Sequence, residues 1–489
     1  MSLTKVTYSM IEGAVANVLD FGAVGDGVTD DSDAVLAALQ TGNVYFPNDT
    51  TYDLNDELIS ISNSVICTFG DNVKFINGRL NFQPTDTQKR VIFNGDLNIE
   101  DGSVKIGGAP DPAHTDPLVP DSNAVTFTCD NINVVNMYTT GGNTTSVYLS
   151  NLKNSITGVI SVSGTSGGVA ASQAVLCQDI YDSELAGFNA NGGWVMGVHF
   201  DNSSVRAAYS LCRTSVGFVN ATKNIPDESG DHGCYCHGAY KSSLGNVSAL
   251  GWGGTISSCA DFKFRDNEAC YVRSVSVGRF RITADNNYSL FTQINQNNVF
   301  EDVSASISMN TISTSPGYSL NNIFKAVRVE NLSMDSNEAT QNGYIFTGIC
   351  SIRVDISGQD INATGLTFRD ANVTLANSPD FIGLYFNAQN TTFNSSLSFA
   401  PTGTSVSTMS NVTVNGTYTH DGGNTTHNFN WNNCYVSGVI SIAGSGVARV
   451  TTANWYYVGS GANEAGAGFV PEVQKYRYVS FNNIVYDLV

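Results

Sequence analysis

Short alternations of apolar and polar residues recur along the middle of the chain, as Val247-Ser248-Ala249, Val275-Ser276-Val277, Val303-Ser304-Ala305, Val327-Arg328-Val329 and Ile352-Arg353-Val354. Alternation of this kind sends successive side chains to opposite faces and predicts half-buried strands. The leading positions are 28, 28, 24 and 25 residues apart. A self-similar period in the twenties, with one strand repeated per turn, predicts a solenoid of stacked coils. Asn297-Asn298 and Asn321-Asn322 precede two of these strands, where turn-forming asparagines would stack from coil to coil. Beyond residue 385 the pattern changes. Asn390-Thr391-Thr392, Ser396-Leu397-Ser398-Phe399 and the run from Asn411 to Tyr418 read as shorter antiparallel strands, and Trp431, Trp455, Tyr456 and Tyr457 add aromatic residues. The expected division is a lead-in and capping helix over 1–41, a solenoid over 42–385 and a β-rich module over 386–489 that caps the stack and joins subunits, with more β-helix to the end as the alternative.

The start of the chain reads as an entrance to such a stack. Val18 to Val24 is a short apolar strand, Gly25-Asp26-Gly27 a turn needing positive φ, and Thr29, Asp30 and Asp31 offer acceptors to the first amides of a helix. Val35, Leu36, Ala38 and Leu39 make that helix's apolar stripe, and Gly42 to Pro47 is the first full strand. Asp-Phe-Gly-Ala-Val-Gly-Asp-Gly-Val-Thr-Asp-Asp over 20–31, followed by Val44-Tyr45-Phe46-Pro47, resembles the pectate-lyase-like family of bacteriophage tailspikes and polysaccharide depolymerases. Tyr8 to Ala14 resembles the lead-in of phage tail proteins. The resemblance implies an all-β, right-handed parallel β-helix, a parallel homotrimer, a place on the virion tail and other tail proteins as partners. It implies action on bacterial capsule or O-antigen. The motif itself contains no catalytic group. Family members often carry a virion-attachment domain ahead of the motif. With about seventeen residues there in this chain, attachment is expected through another tail protein or a segment outside this sequence.

Composition narrows the partners. The chain of 489 residues holds 43 acidic and 23 basic residues, a formal charge of −20, which disfavours nucleic acid as a partner because phosphates need a basic footprint. Charged residues are only 13% of the chain and 47 residues are glycine, which suits stacked turns rather than helical bundles. No apolar run is long enough to span a bilayer, so membrane insertion is not expected. The ten cysteines stand mostly singly inside apolar strands and read as buried free thiols of a protein assembled in a reducing compartment.

Candidate chemistry concentrates between Asp227 and Lys241. Residues 223–281 hold seven basic and six acidic residues, a local reversal in so acidic a chain. A shift of 28 sets Tyr235 beside Lys263 and His237 beside Arg265, while Cys234 and Cys236 meet Phe262 and Phe264. The apolar members then face inward and the polar ones line an outer groove, with Tyr235, Tyr240, Lys263 and Arg265 as substrate-binding candidates. Hydrolysis of a glycosidic bond needs two carboxyl groups, and Glu228 with Asp231 is the leading pair, with Asp266 as a second-coil candidate. Elimination would instead need a base beside a uronate carboxyl, from His237 or Tyr235, and a cation from Arg265 or Lys263. A non-cleaving glycan-binding fibre needs neither. Zinc is not expected, because alternation sends Cys234 and Cys236 inward and His237 outward, and no cofactor is expected.

Overall fold

The computed structural model describes residues 15–136, 145–164, 171–192, 194–201, 209–223, 232–250, 261–265, 267, 269–284, 294–311, 318–320, 322–335, 344–353, 361–362, 365–376, 380–421, 427–437, 440–443, 448–457 and 464–465. Contacts divide the chain into two compact units, residues 1–264 and 265–489.

In the first unit the chain enters through Ala16–Asn17, which pairs in parallel with Asn43–Phe46, Ala16 opposite Val44. The stretch expected as a strand from Val18 is instead a 3-10 turn over Val18–Phe21. Asn17 accepts the Leu19 amide at 3.0 Å, and Gly22 closes the turn at a φ of 99°. A short polar side chain and a left-handed glycine thus outcompete the strand. The helix α1 (Ser32–Leu39) follows, with Val35, Ala38 and Leu39 buried. Asp30, not Asp31, tends its first turn, accepting Ser32 N at 3.0 Å and Ser32 Oγ at 2.6 Å. Buried Asp31 turns back and accepts the amides of Val24 and Gly25 at 2.6 and 3.0 Å, which ties helix to entrance.

One sheet of this unit positions the site. Its strands are β1 (Leu58–Ile61), β2 (Arg79–Phe82), β3 (Ser103–Gly107), β4 (Thr145–Lys153), β5 (Ala171–Tyr181), β6 (Trp194–Asp201) and β7 (His232–His237), each parallel to the next. Leu80, Val104, Val147, Val175, Val198 and Cys234 share one register position and are all buried in the core. One residue further on, Asn81, Lys105, Tyr148, Leu176, His199 and Tyr235 form the next column, which alternation turns to the outer face. A hydroxyl ladder pins successive coils. Ser155 Oγ accepts the Phe127 amide, Ser183 Oγ that of Ser155, Thr214 Oγ1 that of Ser183 and Ser242 Oγ that of Thr214, in steps of 28, 28, 31 and 28 residues.

The second unit repeats the plan with other side chains. Val275 pairs with Val303 as the period of 28 predicts, but Ile352 pairs with Val329 rather than Val327. Asparagine replaces the hydroxyls: Asn298 accepts the Cys270 amide at 2.9 Å, and Asn322 accepts from Asn298 N at 3.2 Å and Nδ2 at 3.0 Å. Phe300, Phe324, Phe346 and Phe368 stack inside with centroids 5.0, 5.2 and 5.4 Å apart. Past residue 385 the described strands continue in parallel, Leu397 opposite Tyr418, Ser405 opposite His427 and His427 opposite Ala448, where antiparallel strands were expected. The cause is a shorter coil. Asn390 bonds to Asp370 and Asn411 to Asn390 in steps of only 20 and 21 residues, with Asn390 and Asn411 both at positive φ. The parallel ladder makes the chain a parallel β-helix. The nine cysteines among the described residues are all buried, as their apolar settings predicted.

Candidate functional site

The residues singled out by sequence divide three ways. Glu228, Asp231 and Asp266 lie outside the described residues, as do the side chains of Lys263 and Arg265, whose place beside Tyr235 and His237 is therefore a proposal. Phe262 and Phe264, which alternate with them, are buried. Cys234 and Cys236 on β7 point into the core opposite Val198 and Phe200, but Tyr235 and His237, expected to line an open groove, are themselves buried at 8% and 3% exposure. Tyr240 lies beyond a corner at Gly238, whose φ is 67°, and stacks on Tyr209 at 5.3 Å with the Lys241 ammonium 5.1 Å over its ring. It is not part of the cluster around Tyr235.

Regular alternation would put His232 on the core side with Cys234, but the strands slip, and His232 is buried beside Tyr235. Ser146 and Val147, Ala174 and Val175, and Gly233 and Cys234 are successive residues that are both buried. A Cβ on Gly233 would meet that of Ala249 at 2.5 Å, so only glycine lets β7 approach so closely there. The slip puts Gln173 and His232 on the same side as His199 and Tyr235, and it recurs in neighbouring strands, so the ladder stays in register.

What gathers there is an imidazole–carboxylate–imidazole group. His237 Nδ1 bonds to Asp201 Oδ1 at 3.0 Å, and His199 Nε2 faces Asp201 Oδ2 at 3.5 Å. Gln173 Oε1 accepts from Thr145 Oγ1 at 3.2 Å, which turns its amide nitrogen toward His199 Nδ1 at 2.9 Å. An imidazole that accepts at Nδ1 carries its proton on Nε2, the atom that faces Asp201. The Tyr235 ring lies nearly parallel to both imidazoles, 4.8 Å from His199 across the ladder and 5.9 Å from His237 along the strand, and His232 lies 5.6 Å from it. Exposure separates the roles. The side chains of His199 and His237 are 5% and 4% exposed and that of Asp201 31%, so the carboxylate is the group within reach of a bound molecule.

Sequence reasoning found Tyr235 and His237 but missed His199 and Asp201. The signal was present in Val198-His199-Phe200-Asp201, an alternation like that of β7. The step from Asp201 to His237 is 36 residues, which a search at 28 passes over.

Earlier in the same sheet, Lys105 Nζ lies 4.9 Å from the centroid of Tyr148, whose hydroxyl donates to Gln178 Oε1. Burial first, then the charge of Asp179 and more weakly that of Asp201, push the Tyr148 phenol above its ordinary range. Among the described residues no group of three His, Cys, Asp and Glu side chains is placed to hold a metal ion, and no helix is long and apolar enough to cross a membrane.

No protein-family model and no curated protein matches the chain. Similar solved structures include the tailspike gp61 of Pseudomonas phage phi297, with a TM-score of 0.33 and 11% identity over 90% of this chain and 81% of that one. The pre-mature gene product 12 of bacteriophage phi29 gives 0.31 and 10% over 96% and 76%. The surface adhesin PfbA of Streptococcus pneumoniae gives 0.28 and 12% over 93% and 100%. Phage tailspikes are thus among the structural neighbours, while the β-helix itself is established by the chain's own strand pairings.

Proposed function

We propose that the chain is a phage tailspike that binds bacterial surface polysaccharide, capsule or O-antigen, and cuts it by hydrolysis, with Asp201 as the reacting carboxylate. The observation that carries this reading is the exposure of Asp201 between two buried imidazoles. His237 and His199 hold the carboxylate in one orientation and act through it as positioning residues, while Asp201 activates water or attacks the sugar.

Hydrolysis needs a second carboxyl group, about 5–9.5 Å away depending on stereochemical outcome. Glu228 and Asp231 are proposed for it, since Asp231 directly precedes His232 in the chain, and Asp266 is the further candidate. Lys263 and Arg265, with Tyr235, are proposed to line the groove, and Tyr240 to bind substrate beyond the corner. The working form is proposed to be a homotrimer on the virion tail, attached through other tail proteins.

Incubation with a panel of capsular and O-antigen polysaccharides, followed by mass spectrometry, tests this. Saturated reducing ends are expected. Unsaturated, ultraviolet-absorbing ends would replace hydrolysis by elimination with His237 or Tyr235 as base, and binding without cleavage would make the protein a fibre.

A further inference from the structure

Lys241 lies exposed over the ring of Tyr240, and Lys105 half-buried over that of Tyr148. Lys74 and Lys325 are each met by a glutamate, Glu100 at 2.8 Å and Glu301 at 2.5 Å. Lys105 forms no ion pair with any described residue and lies instead over the ring of Tyr148. It is half-buried, and burial lowers its pKa from the ordinary lysine value. An ammonium withdrawn from water without an anion is costly, and a ring face offsets only part of that cost. The arrangement is completed when an anion arrives.

Register says where such an anion would lie. Lys105, Tyr148, Leu176 and His199 occupy one outward column on successive strands. At about 4.8 Å per strand, Lys105 is roughly 14 Å along the ladder from His199, the span of a short oligosaccharide. Between them, half-buried Tyr148 and Leu176 offer an apolar surface to the C–H faces of sugar rings, and Gln178 holds the Tyr148 hydroxyl.

We infer that Lys105 and Tyr148 form a subsite for a carboxylate-bearing sugar, several coils from Asp201, so that the polysaccharide bound along this face is an acidic one. The inference rests on the reading of this face as the glycan groove and adds the substrate class to it. The ammonium would pair with the sugar carboxylate while the phenol ring stacks beneath.

The test is an array of bacterial surface oligosaccharides carrying each acidic member beside its carboxyl-reduced form, probed with the whole protein and with the Lys105→Gln and Lys105→Arg variants. The wild type is expected to bind acidic members. Loss of one charge-assisted hydrogen bond predicts about 10- to 100-fold weaker binding for Lys105→Gln, and Lys105→Arg should retain most of the affinity. Carboxyl reduction should bring wild type and Lys105→Gln to equal, weak binding. Preference for the neutral forms, equal binding of acidic members by wild type and Lys105→Gln, or no binding to any acidic member would each overturn the subsite. Acidic glycan bound through Lys105 but left intact would sink the depolymerase reading and keep the subsite. Cleavage that persists with unchanged affinity in Lys105→Gln would do the reverse.

Discussion

At the scale of single residues, the proposed chemistry rests on Asp201, both of whose carboxylate oxygens face imidazole nitrogens. Asp201→Asn keeps the shape and removes the charge, and turnover should fall by about 10²–10⁴-fold with glycan binding largely kept. Activity within a factor of a few of wild type would move the reaction elsewhere. His237 needs a different test, because it is proposed to act through Asp201. His237→Leu should lower kcat more than it raises KM, whereas His237→Asn, whose amide nitrogen mimics Nδ1, should recover much of the loss. A loss equal in both variants would point to the imidazole as the reacting base. Gly233→Ala should disturb the site without touching its chemistry, because the new methyl group would lie 2.5 Å from the Cβ of Ala249. Parity separates Tyr235 and His237 from the core-facing Cys234 and Cys236, but it did not reveal that neighbouring groups bury both. Asp201 and His199 were not legible in sequence, because their coil is 36 residues long and hides the partnership.

At the scale of elements, the entrance and the ladders make separate predictions. The Ser32 hydroxyl, then its amide, holds the exposed Asp30 carboxyl below its ordinary range. A depressed folded pKa stabilises above the unfolded carboxylate value, and the contribution disappears as pH falls through the folded one. The melting-temperature difference between wild type and Asp30→Asn should therefore be largest near neutrality and vanish in strong acid. A difference independent of pH would assign the effect to the amide's shape. In the second unit Phe346 sits between two stacked rings, and Phe346→Ala should cost about 3–5 kcal/mol by chemical denaturation, the range for emptying a buried aromatic site. The repeated strands were legible because the apolar alternation recurs at the spacing of the hydroxyl and asparagine ladders. The strands past residue 385 were misread as antiparallel because coils of 20 and 21 residues break that spacing while keeping the same corner asparagines. The turn at Val18–Phe21 escaped for the opposite reason, since one Asn17 hydrogen bond outweighs an apolar run.

At the scale of the whole molecule, stability is a property of stacking. Each coil of a solenoid touches only its neighbours, so unravelling starts at an end and must peel successive ladders before the chain is free. Pairings between coils join residues far apart in sequence, which also slows their formation. A homotrimer would add a shared interface to be broken before peeling begins, raising the unfolding barrier more than it changes any single contact. If the proposed homotrimer forms, light scattering at micromolar concentration should give three times the chain mass, and the trimer should unfold in denaturant far more slowly than chains diluted to monomers. A monomer mass at that concentration would remove the trimer. A trimer that unfolds as fast as the isolated chain would keep the assembly but place its interface outside the ladders that limit unfolding.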